Sequence, residues 1–211
     1  MAEIHHHLTE PQIAAYASGA LPYPFAMVVA AHVSMCAECR ARLGAHEVLG
    51  GAVMEVLPAE TVSDDLKDSI LAQLDDTPPD EPAPRRNGIY PGPVAEALHG
   101  EAPKWRALGR GTKQAILHQG PNGSVRLLYI PAGQAVPDHG HNGLELTLVL
   151  QGSFADADGT FGVGDVEVAD DAVEHTPVAG EGMPCICLAA TDAPLKFSGF
   201  VPRMLQPIFR I

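Results

Sequence analysis

The spacing of apolar residues changes partway along the chain, and the change divides it in two. Up to residue 77 they recur three and four apart, as one stripe of a helix requires. From about Ile89 they come in short runs broken by Gly, Pro and Asp, as strands require. The first stripe, Ile13, Tyr16 and Ala17, follows Thr9, Glu10, Pro11 and Gln12. There a capping threonine, an early proline and a glutamine three places on predict a helix start, and Gly19 ends it. Pro24 to Val33 predicts a second, alanine-rich helix, with Ser34 placed to cap a third. Ala45, Val48, Leu49, Ala52, Val53, Val56 and Leu57 carry that third helix as far as Pro58. Ser63 is placed to cap a fourth, bearing Leu66, Ile70, Leu71 and Leu74. So short a bundle cannot bury every stripe internally, and apolar surface is expected to remain for a partner.

The second half predicts strands at Trp105 to Leu108, Ala115 to His118, Ser124 to Ile130, Leu144 to Leu150, Phe154 to Ala155, Val166 to Ala169 and Cys185 to Ala190. Regular short strands with turn signals between them read as a barrel or double-sheet jelly roll. Phe197 to Ile211, with Pro202 and Pro207, reads as an edge strand or a tail. The expected fold class is therefore α+β with two domains, a small helical bundle over 1–77 and a β-barrel over 91–211. A linker over 78–90 joins them, kept semi-extended by Pro78, Pro79, Pro82 and Pro84.

Two groups of metal-ligating side chains stand on this frame. In the strand half, His139, His141 and Glu145 lie between Gly133 and Gly152. Side chains two apart on a strand point the same way, so all three share one parity and can meet one ion, and His175 is the only histidine further along. Such a nitrogen and oxygen set suits zinc, iron, manganese, copper or nickel. In the helical half, His32, Cys36 and Cys39 follow an H-x3-C-x2-C spacing. Cys36 is expected in the first turn of a helix, whose amino terminus favours thiolates. A tetrahedral zinc needs a fourth ligand, and His7 is expected to supply it, with His6 next in line.

The first group resembles the cupin family, whose first motif, G-x5-H-x-H-x3,4-E-x6-G, is complete here. Its second motif is kept at Gly164 and His175, while Asp170, Ala172 and Ala179 replace the family's proline, glycine and asparagine. The helical group resembles the zinc-binding anti-sigma domain. The two in this order are similar to the ChrR family of transcriptional regulators. That resemblance implies an anti-sigma factor that is not an enzyme and that holds an extracytoplasmic-function-type sigma factor inactive. It implies zinc at His7, His32, Cys36 and Cys39, and zinc or another divalent transition metal at His139, His141, Glu145 and His175. It also implies release of the sigma factor in response to singlet oxygen or oxidative stress, with the cupin domain needed for that response. An alternative is a metal-dependent cupin oxygenase with a helical dimerisation module, because three histidines and a glutamate also serve many cupin oxygenases. The complete H-x3-C-x2-C argues against it, since an oxygenase has no need of one.

Charge and cysteine usage narrow the setting. Thirteen basic against 26 acidic residues leave −13, which repels a phosphate backbone and argues against direct nucleic-acid binding. An acidic surface suits the basic faces of a sigma factor. No run of apolar residues is long enough to cross a membrane and no signal peptide opens the chain, so a cytoplasmic protein is expected. Thiols stay reduced there, which favours ligation over a disulfide at Cys36 and Cys39. Cys185 and Cys187 share one face of a strand, and the expectation is a core-facing pair, with redox sensing as the second reading. His46, His99 and His118 are expected to lie outside any site.

Overall fold

A computed structural model describes residues 3–74, 85–137, 139–140, 143–171, 174–193 and 196–197; at 139, 174, 196 and 197 it describes the backbone alone. Most of the proline-rich linker, His141, Ala172 and nearly all of the carboxy-terminal run lie outside these residues. Five helices precede the sheets: α1 (Glu10–Ala17), α2 (Tyr23–Met35), α3 (Ala37–Val56), α4 (Leu66–Gln73) and α5 (Gly92–Ala97). The α1 start is the capping box expected, with the Thr9 amide donating to Gln12 Oε1 at 2.9 Å.

Two other caps differ from expectation. Ser34 falls inside α2, where its hydroxyl donates back to the Ala31 carbonyl at 2.7 Å. The cap of α3 is Cys36, whose sulfur accepts the Cys39 amide at 3.4 Å. The cysteine thus takes a role that composition assigns to serine, because its sulfur already sits over the free amides of the first turn. Likewise Asp65, not Ser63, flanks α4, and no side chain caps that helix.

The strands are β1 (Arg106–Gly109), β2 (Thr112–Gly120), β3 (Gly123–Ile130), β4 (His139–Gly140), β5 (Glu145–Gln151), β6 (Phe154–Ala155), β7 (Thr160–Phe161), β8 (Val166–Ala169), β9 (Glu174–His175), β10 (Val178–Ala179), β11 (Cys185–Thr191) and β12 (Lys196–Phe197). Six form one sheet in the order β1-β2-β3-β11-β5-β8, and two three-stranded sheets, β10-β6-β7 and β12-β4-β9, complete a sandwich. Every described pairing is antiparallel.

The six-stranded sheet is covered on both faces, which explains the near-continuous apolar run of β11. Val149, Cys185 and Cys187 point into the sandwich with Phe154 and Phe161. Leu146, Leu148, Leu127, Ile186 and Leu188 point outward into a second core, and there they meet Phe25, Val28 and Val29 of α2 and Val94 of α5. The helical segment and the sheet therefore share a core. Burying each of these side chains is worth about 1.5–3 kcal/mol, so this contact fixes α2 on the sheet.

Beyond α2 the helices leave that core. Val48, Leu49, Val53, Met54 and Val56 of α3 are exposed, as are Leu66, Ile70 and Leu71 of α4, and α4 buries nothing. No helix among the described residues is long and apolar enough to cross a membrane.

Candidate metal centres

His7, His32, Cys36 and Cys39 come together at the junction of α2 and α3. One ligand atom from each lies within 4.8 Å of all the others, and all but His7 are buried. His32 is on the last turns of α2, Cys36 links the helices and Cys39 is in the first turn of α3, while the extended segment before α1 carries His7 across to them. His7 Nδ1 is 3.3 Å from Cys36 Sγ and 3.6 Å from Cys39 Sγ. A tetrahedral ion with sulfur at about 2.3 Å and nitrogen at about 2.0 Å separates such ligands by about 3.5 Å. Both His7 to sulfur distances lie close to that separation.

The polar chemistry agrees. His32 Nδ1 bonds the Gly164 carbonyl at 2.9 Å, which makes Nδ1 the protonated nitrogen and turns the bare Nε2 inward. That Nε2 is buried with no hydrogen-bond partner, an orphan that a metal ion would satisfy. Burial holds the His32 imidazole down at about 4, so it is neutral and fit to ligate. Burial also pushes the Cys39 thiol up to about 11, which a divalent cation would reverse. Around the cluster, Glu38 lies 3.4 Å from His7 Nε2, and Arg42 donates to Cys39 Sγ at 3.8 Å. Such outer partners orient ligands. With four protein ligands the site is closed, as structural sites are. His6 turns elsewhere, its ring 4.3 Å from that of Phe161 and its Nδ1 3.5 Å from Asp165.

Of the second group, only Glu145 and His175 have described side chains. His139 on β4 pairs in register with His175 on β9, and Glu145 begins β5, accepting the Thr147 hydroxyl at 2.9 Å. His141 lies outside the described residues. His175 Nδ1 is engaged by two carboxylates that the motif does not contain, Asp156 at 2.7 Å and Glu167 at 3.2 Å. Burial opposes a charge on His175, but these carboxylates outweigh it and lift the imidazole to about 9. Burial raises Glu167 to about 7 against the pull of His175. Among the described residues, Asp156, Glu167 and His175 are the metal-competent group at this end, and Glu145 is not part of it. Spacing could not find Asp156 or Glu167, because they come from a turn and from β8, and only the closing of the sandwich brings them to His175.

Cys185 and Cys187 are a buried free pair, with sulfurs 3.3 Å apart. Of the histidines set aside, His46 bonds Glu10 on α1, and His118 packs edge-on against Tyr23. His99 is a turn residue with φ +51°.

A helical module with a closed His2Cys2 cluster, seated on a cupin-like β-sandwich, defines the class of protein. Residues 95–193 match the family model described as the ChrR cupin-like domain. The chain is 51% identical to the anti-sigma-E factor ChrR of Cereibacter sphaeroides over 99% of both sequences. It is also similar to the crystal structure of Rhodobacter sphaeroides SigE in complex with the anti-sigma ChrR. There the identity is 50%, 90% of this chain and all of that one are covered, and the TM-score is 0.79. The chain belongs to the ChrR family.

Proposed function

We propose that the protein is an anti-sigma factor that sequesters an extracytoplasmic-function-type sigma factor in the cytoplasm and releases it under singlet oxygen or oxidative stress. Similarity over nearly its whole length to a protein solved in complex with SigE carries this reading. The exposed apolar faces of α3 and α4 support it, since they offer the patch that such a partner would cover. The charge of −13 adds attraction toward the basic surfaces of a sigma factor, an effect that salt would weaken.

We read the ion held by His7, His32, Cys36 and Cys39 as zinc, which binds four such ligands tetrahedrally and ties helices whose own core is thin. His139, His141, Glu145 and His175 are read as the ligands of a second divalent transition metal in the sandwich, and the cupin domain as the part needed for the response. The 51% identical relative is named an anti-sigma factor, and no observation favours the oxygenase alternative.

The test is co-expression of the full chain with candidate sigma factors of its own genome, followed by co-purification and metal analysis. Capture of one candidate with a zinc at the cysteine site is the expected result. Failure to retain any candidate, with zinc present and the chain folded, overturns the reading.

A further inference from the structure

The corner between β7 and β8, residues 162–165, lies between the two candidate centres and touches both sides. On the helical side it takes up the segment that carries His7. The amides of His5 and His6 both donate to Asp165 Oδ1, at 2.7 and 2.9 Å, and the Val166 amide donates to the His6 carbonyl at 3.2 Å. Asp165 Oδ2 accepts the Gly162 amide at 2.7 Å, so the same carboxylate also braces its own turn. The Gly164 carbonyl holds His32 Nδ1 at 2.9 Å. Gly164 has φ +98°, and a Cβ there would lie 2.6 Å from Ile4 Cδ1, so the segment rides directly on the corner. Two of the four cluster ligands, His7 and His32, are therefore positioned by this one turn.

On the other side the corner runs straight into β8. Glu167, two residues past Asp165, is buried and reaches His175 Nδ1 at 3.2 Å. Two residues of strand span about 6.6 Å, so a shift at His175 needs to travel little further than one side chain and one turn. A buried carboxylate with three amide donors, on an element pinned at both ends, has little room to shift without moving its partners.

We propose that Asp165, together with the Gly164 carbonyl, is the positioning residue that couples the interior of the sandwich at His175 to the His7, His32, Cys36 and Cys39 cluster. Resting on the reading of that cluster as a metal site, it gives the response a route through the shared face of the fold. The residue acts through the ligands' orientation and touches no metal itself.

The full chain loaded with cobalt(II) at the cysteine site tests this, because thiolate-to-cobalt absorption reports that site alone among nitrogen- and oxygen-ligated ions. Loss of the band to a chelator is timed for the unaltered chain, Asp165→Asn, Glu167→Gln and the double variant; both changes keep side-chain shape. Asp165→Asn is expected to speed cobalt loss about tenfold and shift the ligand-field bands, with the melting temperature nearly unchanged. Glu167→Gln is expected to speed it about threefold on its own and to add nothing in the Asp165→Asn background, the non-additivity that marks coupled sites. Multiplying effects in the double variant, or unchanged loss and bands with Glu167→Gln, overturn the proposal. A melting temperature that falls in step with faster loss also overturns it, by making the role purely structural. No sigma factor enters the measurement, so its outcome is separate from that of the capture experiment.

Discussion

Cys36 caps α3 with a sulfur placed over the free amides of the helix start, and the proposed metal site asks the same sulfur to be a ligand. Substituting Cys36→Ser keeps an acceptor for the cap but removes a soft ligand. Zinc is expected to be lost while helicity measured by circular dichroism changes little, and sigma-factor capture is expected to fail in co-purification. Cys39 gives a pH signature. Its thiol, raised to about 11 by burial, is protonated at neutral pH in the metal-free chain and must release that proton on ligation. Each unit of pH below that value therefore costs at least one proton's worth of affinity. Chelator competition at pH 6, 7 and 8 should show zinc binding tightening at least about tenfold per unit. A pH-independent constant would mean that Cys39 is no ligand. The place of His7 before the first helix makes it the expected fourth ligand, and the structure brings His7 to the cysteines while the His6 ring lies against Phe161 and Asp165.

At the scale of elements, α2 and the later helices have opposite fates although all carry apolar stripes. The α2 side chains Val28 and Val29 are fully buried on the sheet, whereas Val48 is 75% and Val56 82% exposed on α3. Periodicity reports which residues share a face but not what the face meets, so a core helix and one whose apolar face stays exposed look alike in sequence. An acidic residue on the exposed face tests whether it is the proposed docking surface. Val53→Asp or Leu71→Asp is expected to weaken sigma-factor binding at least about tenfold, read by titration calorimetry, and to leave the melting temperature within a few degrees. In contrast, Leu148→Ala in the shared core should cost about 2–5 kcal/mol in denaturant unfolding.

At the scale of the whole molecule, helices and sheet share one core and are also joined by the Asp165 corner, so the two halves are expected to lose structure together. Heating the cobalt-loaded chain should show the thiolate band and the near-ultraviolet signal of the sandwich disappearing in one transition. Two separated transitions would show that the shared core does not bind the halves cooperatively. The amino-acid sequence alone determined the α+β order, most strand positions to within a residue or two, the His32, Cys36 and Cys39 spacing and the resemblance that named a partner. Those features are local, set by period, turn chemistry and ligand spacing along a few residues of chain. Tertiary structure alone decided that α2 lies on the sheet, that Asp156 and Glu167 take His175 Nδ1, and that a turn of the sandwich holds His32 and the segment bearing His7. These contacts join residues more than a hundred positions apart or on separate strands and turns, and no local period carries that information: it arises only when apolar faces find one another and carry their polar neighbours with them.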